Sequence, residues 1–344
     1  MGKYWIYTLV VIVIIGMLLT GAIAQDTVTN GDKLTIVATT TQAADALRVV
    51  AGDLVNIVQL MGPGVDPHLY QPTEADVQAM STADAVLYSG LHLEGQFDTV
   101  FEALGQTDIY IHALSDPVYT AGFILEWVPT QATQGTEDPH FWFDPRNWQL
   151  AIDGVAEMLT DLDPDNTQVY RANADAYIEQ LDLLYEWGLE ALSQIPEKQR
   201  VLVTSHDAFQ YLGDAFGWEV RGLQGISTQD EAGVADIQDI AEFVVEREIP
   251  VMFIESSVPP DTIEAVQEAV QARGGEVNIG VRVLFSDAMG EEDTFGGTYI
   301  GMLGQNIITI LQSYGYPIPE WPEELLPIPP EELLNMQDVE VKEE

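Results

Sequence analysis

The sequence predicts an α/β fold of two lobes with mostly parallel sheets, joined by one long rigid helix. Short β-branched apolar runs alternate with longer amphipathic or Ala-rich segments, which is typical of βαβ units. The length of 344 residues favours two domains, because a domain takes roughly 150 residues. A third observation is a segment near the middle of the chain that is long enough to connect two lobes.

The predicted strands are 34–38, 55–61, 85–88, 201–204, 251–254 and 281–285. The predicted helices are 42–51, 74–81, 97–104, 147–162, 236–247 and 260–272. The long segment is 164–195, which opens with Pro164 and acidic neighbours, a helix-start signal, and then contains no Pro until 196. A helix of ~30 residues would be about 45 Å long. A coiled coil is the alternative for a helix of this length.

The predicted elements also indicate how the whole chain is divided. We expect an N-terminal α/β lobe at 33–160, a linking helix at 161–197, a C-terminal α/β lobe at 198–316 and an acidic Pro/Glu-rich tail at 317–344, partly disordered and outside either core. Residues 1–24 read as a signal peptide, with a basic Lys3, an apolar run and a small-x-small site ending at Ala24. The alternative is a retained anchor, since ~20 apolar residues span a bilayer. Either version places the rest of the chain outside the cytoplasm, in the periplasm or on the outer face of the cell membrane.

The composition limits both the partners and the chemistry. The chain has 56 acidic residues against 12 Lys and Arg, a net charge of −44, which excludes nucleic acid as a partner. Such a charge concentrates cations near the surface without selectivity, although adaptation to a saline medium would explain it equally well. The absence of cysteine excludes disulfides, thiolate metal sites and a lipid-modified Cys. A transition-metal site must therefore use His, Asp or Glu.

Four residues are the candidate metal ligands: His68, His140, His206 and Asp287. His206 and Asp287 follow predicted strands, and His68 lies in a turn-rich segment after another, positions at which open α/β sheets bind ligands. Two candidates precede the long helix and two follow it, so they would meet only in the cleft between the lobes. Three imidazoles and one carboxylate suit zinc and are acceptable to manganese or iron. A satisfied loop or core histidine is the alternative for each residue taken singly.

The remaining histidines lack such a setting. His92 and His112 follow no strand in the same way, and we expect them to be packing or surface residues.

The residues carry a resemblance to a known family over about 33–315. The matching segments are Gly-Val-Asp-Pro-His-Leu-Tyr-Gln-Pro at 64–72, Asp-Pro-His-Phe-Trp-Phe-Asp-Pro at 138–145, Thr-Ser-His-Asp-Ala-Phe at 204–209 and Leu-Phe-Ser-Asp at 284–287. Four such motifs in order make the chain similar to the substrate-binding proteins of the zinc and manganese ABC importers.

This resemblance implies a function without catalytic turnover. A divalent metal, zinc first and manganese next, would be captured by His68, His140, His206 and Asp287 and delivered to the membrane subunit of an ABC permease by a monomeric protein. His206 favours zinc, because manganese-type members tend to carry Glu there. Three departures from the family's pattern are the lack of His in 128–138, the lack of a lipid-modified Cys and the acidic tail after Pro317. Since imidazole must be neutral to bind metal, we expect the affinity to fall below roughly pH 6.5.

Two alternatives use the same residues. In a secreted zinc hydrolase, three histidines would bind the metal and Asp287 would act as base on a bound water. In a surface protein, the site would sequester metal or support adhesion to a partner.

Overall fold

The computed structural model describes residues 33–127, 136–229 and 231–335. The predicted signal segment 1–24 lies outside the described residues, as does most of the His-free stretch 128–138. Within the described ranges, no helix is both long enough and apolar enough to cross a membrane.

Strands and helices alternate along most of the chain. The strands are β1 (Thr35–Ala38), β2 (Asn56–Gln59), β3 (Ala85–Tyr88), β4 (Tyr110–Ala113), β5 (Glu126–Trp127), β6 (Thr136–Glu137), β7 (Val201–Thr204), β8 (Glu219–Gly222), β9 (Val251–Met252) and β10 (Asn278–Ile279). The helices are α1 (Thr41–Ala51), α2 (Glu74–Thr82), α3 (Asp98–Leu104), α4 (Asp116–Ala121), α5 (Pro145–Leu162), α6 (Thr167–Ser193), α7 (Gln210–Phe216), α8 (Val234–Glu246), α9 (Asp261–Ala272), α10 (Tyr299–Ser313) and α11 (Glu331–Leu334).

The first four strands form one parallel sheet in the order β2-β1-β3-β4. The central strand β1 is apolar and fully buried from Ile36 to Ala38, as expected for a parallel strand covered on both faces. Parallel pairing places the carboxyl ends of all four strands along one edge. The turn that carries His68 leaves the sheet from this edge, after β2.

A second group of parallel strands follows the long helix. β7 pairs with β8, and β9 pairs with β10. The two pairs are connected by a hydrogen bond of 2.8 Å from the Phe253 N–H to the Val203 carbonyl. The carboxyl end of β7 leads directly into His206.

The longest helix, α6, has 27 residues and is about 40 Å long. It begins after the 3-10 turn Pro164–Asn166 and ends before Pro196, so Pro residues bound it on both sides. One face carries buried residues such as Leu181, Leu184 and Leu192, which join the main hydrophobic core. The α/β class, with mostly parallel sheets and one long helix, is thus confirmed.

The predicted strand at 281–285 is wrong. Only an isolated bridge between Leu284 and Glu255 forms there, and the paired strand in this region is β10. On one side of the segment, the Val281 N–H donates to Ser313 Oγ and the Phe285 N–H to Asn306 Oδ1, both in α10. On the other side, only Leu284 pairs, through its N–H to the Ile254 carbonyl and its carbonyl to the Ser256 N–H.

The expected acidic tail also needs correction, because part of it belongs to the core. Leu325 is fully buried and Leu333 is almost so, and both join the main core cluster. Trp321 packs edge-on against Trp187 of α6 at 4.6 Å between ring centroids. The high Pro and Glu content of this segment predicted disorder, but a few apolar side chains attach residues 317–335 to the core.

Candidate metal centre

The four predicted candidates, His68, His140, His206 and Asp287, come together in one cluster. One ligand atom from each lies within 4.8 Å of those of the others, and no second group of this kind was found in the described part of the chain. All four side chains are buried: His140 and His206 have no exposed surface, and Asp287 and His68 are 1% and 2% exposed.

Each candidate is held by a different part of the fold. His68 lies in the turn after β2, and His140 immediately precedes the 3-10 turn Phe141–Phe143 that leads into α5. His206 follows the fully buried strand β7. The backbone of Asp287 is held by the N-terminal half of the chain, since Gln42 of α1 donates a side-chain hydrogen bond of 2.9 Å to its carbonyl.

The distances between the candidate atoms fit one small cation. Nε2 of His140 lies 3.3 Å from Nε2 of His206 and 3.3 Å from Oδ1 of Asp287. Nε2 of His206 lies 3.4 Å from Oδ2 of Asp287. A tetrahedral zinc with bonds of about 2.0–2.1 Å separates its ligand atoms by roughly 3.3–3.4 Å. These spacings fit one small cation, and the Asp287 carboxylate faces the centre of the cluster with both oxygens, one towards each histidine.

The fourth candidate, His68, lies beside both other histidines. Its ring centroid lies 5.5 Å from that of His140 and 5.9 Å from that of His206. Its Nε2 is buried and has no hydrogen-bond partner. A buried, unpaired nitrogen is costly unless something binds it, and a metal ion would.

Burial and mutual charge shift the pKa values of the histidines in opposite directions. Burial lowers the pKa of His68 to about 3, with the neighbouring histidines adding to the effect. Burial alone would also lower the pKa of His140, but hydrogen bonds to Asp138 and Asp287 raise it to about 9. The pKa of His206 is raised well above its usual range, because Asp287 and Glu255 outweigh its burial.

The carboxyl group of Asp287 stays ionised in this setting. Its burial alone would raise its pKa, but the charge of His206 and hydrogen bonds from both neighbouring histidines hold the pKa well below the usual range. The raised pKa values of His140 and His206 and the lowered pKa of Asp287 favour protonated imidazoles beside an ionised carboxylate when no metal is bound. A divalent cation would replace these protons.

Two more carboxylates stand behind the imidazole rings. Oδ1 of Asp138 accepts a hydrogen bond of 2.8 Å from Nδ1 of His140. Oε2 of Glu255 makes an ion-pair contact of 2.6 Å with Nδ1 of His206. Both rings thus turn Nδ1 to a carboxylate and Nε2 to the centre of the cluster.

The third ring is positioned through its backbone. Asp66 accepts the His68 backbone N–H at 2.8 Å through Oδ1, and its Oδ2 accepts the Thr228 hydroxyl at 2.5 Å. Gln229 donates its side-chain N–H to the His68 carbonyl at 3.1 Å. The turn carrying His68 is therefore attached to the segment that follows β8.

The two remaining histidines lie elsewhere. The His92 side chain is 78% exposed and pairs with Asp98 at 3.0 Å. His112 lies on β4, and burial lowers its pKa. Neither belongs to the cluster.

Sequence reasoning gave no role to the residues that support the ligands. Asp138 had a usable signal, because an Asp stands two residues before a candidate His at both 66–68 and 138–140. Glu255 and Thr228 had none, since each lies far along the chain from the histidine it serves.

Comparison with known proteins places this arrangement among metal-binding proteins. A sequence profile described as zinc-uptake complex component A, periplasmic, matches residues 36–313. The manganese-binding lipoprotein MntA of Bacillus subtilis is 41% identical over 286 residues, covering 82% of this chain and 90% of that relative. The zinc-binding protein TroA of Treponema pallidum is 41% identical over 292 residues, covering 84% of this chain and 91% of that relative.

A solved structure shows the same fold. The periplasmic zinc-binding protein TroA from Treponema pallidum superposes with a TM-score of 0.77 at 42% identity, over 82% of this chain and 99% of that one.

Proposed function

Since the chain belongs to the family of periplasmic zinc-uptake components, we propose that it captures a divalent transition metal and presents it to an ABC permease for import. The chain is a substrate-binding protein that works outside the cytoplasm, and it is not an enzyme. Its membrane partner is the permease, whose ATPase supplies the driving force.

The observation that carries this proposal is the buried cluster of His68, His140, His206 and Asp287. We propose that these four side chains are the metal ligands. The Nε2 atoms of His140 and His206 lie 3.3 Å apart and each lies within 3.4 Å of an Asp287 oxygen, and the burial of all four side chains excludes bulk water from the cluster. A surface of charge −44 attracts cations, but only a fixed shell of this kind discriminates among them.

Zinc is the metal that the donor set favours. Three imidazoles and one carboxylate suit zinc, whereas manganese is better served by a shell richer in oxygen. The two relatives at 41% identity are named for different metals, manganese for one and zinc for the other, so similarity alone gives no preference. The proposal for zinc therefore rests on His206, which supplies nitrogen where an oxygen ligand would favour manganese.

Delivery requires the shell to open. We propose that the sheet of β1–β4 and the strands β7–β10 belong to two lobes, 33–160 and 198–316, that tilt slightly about the helix at 161–197. Two of the proposed ligands precede this helix in the sequence and two follow it. A small movement of one lobe relative to the other would therefore lengthen several metal bonds at once. We further propose that the mature protein acts as a monomer without the signal segment 1–24.

The hydrolase alternative is disfavoured by burial. A zinc enzyme keeps one position open for water and substrate, but here the fourth position is filled by a carboxylate that is 1% exposed. Sequestration or adhesion at the cell surface would use the same shell, and only transport requires a permease.

A calorimetric titration of zinc, and then manganese, into chelator-stripped protein tests the proposal. We expect one tight zinc site per chain that manganese does not displace. Displacement of zinc by manganese would retain the receptor function and contradict the zinc preference. Weak binding of many ions, as on an acidic surface, would contradict the proposed function itself.

A further inference from the structure

We propose that Asp138 and Glu255 are positioning residues that determine which ring nitrogen His140 and His206 present to the metal. The inference rests on the proposed function, because it assigns supporting roles around the same cluster. Neither carboxylate is among the candidate ligands, and each acts through the histidine that it contacts.

Each carboxylate holds its histidine at two points. Oδ1 of Asp138 accepts the His140 backbone N–H at 3.0 Å and the ring Nδ1 at 2.8 Å. Oε1 of Glu255 accepts the His206 backbone N–H at 2.8 Å, while Oε2 lies 2.6 Å from the ring Nδ1. Contacts to both the backbone and the ring fix the side-chain torsions between them. Neither imidazole can turn without losing one of the two contacts.

This arrangement also determines the tautomer. An ionised carboxylate only accepts hydrogen bonds, so the ring nitrogen that faces it must carry the hydrogen. The hydrogen bond to Asp138 makes Nδ1 the N–H in His140, and the 2.6 Å contact with Glu255, which lacks hydrogen-bond geometry, favours the same tautomer in His206. Nε2 of each ring then keeps its lone pair for the metal. The two Nε2 atoms lie 3.3 Å apart, which is the spacing that a shared cation requires.

The burial of these carboxylates is hard to explain by stability alone. Asp138 has no exposed surface and Glu255 is 2% exposed. Burying a carboxylate is unfavourable unless it is paired, and the ion-pair contact of each is with its histidine. Oδ2 of Asp138 is buried without a hydrogen-bond partner, so the fold leaves this group partly unsatisfied. A role in orienting a ligand accounts for both positions.

His68, the third histidine of the cluster, shows that a buried ring does not need such a carboxylate for folding. Asp66 stands at the same offset before His68 as Asp138 before His140, but its second contact is with Thr228 and not with the ring. Within the cluster, carboxylates thus face Nδ1 only in the two rings whose Nε2 atoms contact Asp287. The pattern follows the ligand geometry and not the local sequence.

The test compares Asp138→Ala and Glu255→Ala with the isosteric Asp138→Asn and Glu255→Gln. Zinc affinity is measured by competition with a chromophoric chelator, and the tautomers by 15N NMR of histidine-labelled, zinc-loaded protein. We expect the alanine variants to bind zinc roughly 10- to 100-fold more weakly, the range for partners behind a metal ligand. The amide variants retain an acceptor oxygen and should lose less.

The NMR signals separate positioning from a general loss of structure. In Asp138→Ala, the Nδ1–H signal of His140 should be lost to exchange while that of His206 remains, and Glu255→Ala should show the reverse. The matched control is Glu94→Gln, because Glu94 is 1% exposed and accepts hydrogen bonds from Thr39, Ser89 and Gly90 without touching the cluster. We expect wild-type zinc affinity from this control.

The zinc affinity of the wild-type protein tests the proposed function, and the variants test the roles of Asp138 and Glu255. Wild-type protein without a tight zinc site would contradict the proposed function. A tight wild-type site with unchanged affinity and unchanged His140 and His206 signals in the Asp138 and Glu255 variants would overturn the inference alone. If the alanine variants do not fold, the isosteric variants give the decision, because a neutral amide in place of the carboxylate should still lower zinc affinity measurably, and unchanged affinity would overturn the inference.

Discussion

The sequence Asp-Pro-His occurs at 66–68 and again at 138–140, and the two turns hold their histidines differently. In both turns an Asp oxygen accepts the backbone N–H of the histidine two residues later, at 2.8 Å and 3.0 Å respectively. Asp138 uses the same oxygen to bind the ring of His140. Asp66 uses its other oxygen to bind Thr228, in the second half of the chain.

The difference shows that identical local sequences can have separate tasks at one site. The turn at 138–140 orients its ring through its own Asp138, although the Asp138 carbonyl also accepts the Tyr211 hydroxyl at 2.9 Å. The turn at 66–68 depends on Thr228 and Gln229, so the position of His68 depends on contact between distant parts of the chain. We expect His68 to be the ligand most sensitive to changes across the cleft.

The largest effect should come from removing the group on which both turns converge. Asp287→Ala takes away the only carboxylate of the proposed shell and leaves imidazoles facing one another. Because changes behind a ligand already cost roughly 10- to 100-fold, we expect loss of a ligand to exceed ~100-fold in zinc affinity. Competition titration measures this, with Asp53→Ala as an exposed control of the same charge change. Loss of folding in the metal-free variant would mean that Asp287 is structural.

The next largest effect concerns the pH dependence of zinc binding, in which the histidines of the two turns should differ. The pKa of His140 is raised to about 9 and that of His206 is raised as well, whereas that of His68 is lowered to about 3. Zinc binding at pH 7 should therefore release about two protons, and the affinity should rise until roughly pH 9, above the ~6.5 expected from the sequence. Calorimetric titrations in buffers of different ionisation enthalpy measure the number of protons that zinc binding releases. Release of no protons would contradict the raised pKa values of His140 and His206.

The same shifts predict the stability of the metal-free protein. A folded pKa raised above the unfolded value means that the folded state binds more protons in between, so stability falls as pH rises. The contribution of His140 and His206 is complete below about pH 6.5 and lost towards pH 9 for His140. Thermal melts of stripped protein should show this decline. Zinc-loaded protein should not, because the metal then replaces the protons.

A smaller effect should come from weakening only the turn at 66–68, by removing its hydrogen bond to Thr228. Thr228→Val removes the hydroxyl that Asp66 accepts and leaves the turn at 138–140 intact. A buried hydrogen bond contributes about 1 to 1.5 kcal/mol, so we expect zinc affinity to fall roughly five- to tenfold. Thr309→Val is the matched control, because Thr309 is fully buried and its hydroxyl has no hydrogen-bond partner. Equal affinities in the two variants would remove the distinction between the turns.

The smallest effect should come from screening the surface charge. Both turns present histidines that are at most 2% exposed, so salt should reach neither once the metal is bound. Raising the salt should slow zinc association about two- to fivefold, because screening weakens attraction to a surface of charge −44. Stopped-flow measurements with a zinc-sensitive dye give both rates. Dissociation that accelerates with salt would indicate an exposed site.

Much of this arrangement could be predicted from the sequence. Strands 85–88 and 201–204 were predicted with the observed bounds, because short apolar runs between turn residues have few alternatives. The segment 281–285 shows the same apolar pattern, but its Val281 and Phe285 N–H groups donate to side chains of α10, and only Leu284 forms a bridge, to Glu255. Which group accepts a backbone N–H depends on neighbours that periodicity does not reveal.

The candidate ligands were easier to find than the residues that support them. Each candidate stands in a motif that the sequence shows, although the strand predicted before Asp287 does not form. Glu255, in contrast, lies 49 residues from His206, and Thr228 lies 162 residues from Asp66. Their roles arise only when the fold brings these segments together, and no spacing along the chain indicates them.

A crystal structure of the zinc-loaded protein, with anomalous scattering recorded at the zinc edge, tests the central claim most directly. We predict one strong zinc peak per chain, bound by Nε2 of His68, His140 and His206 and by the carboxylate of Asp287 at about 2.0–2.2 Å. The Nδ1 atoms of His140 and His206 should still face Asp138 and Glu255. Zinc found only on the acidic surface, or bound without His68, would contradict the account.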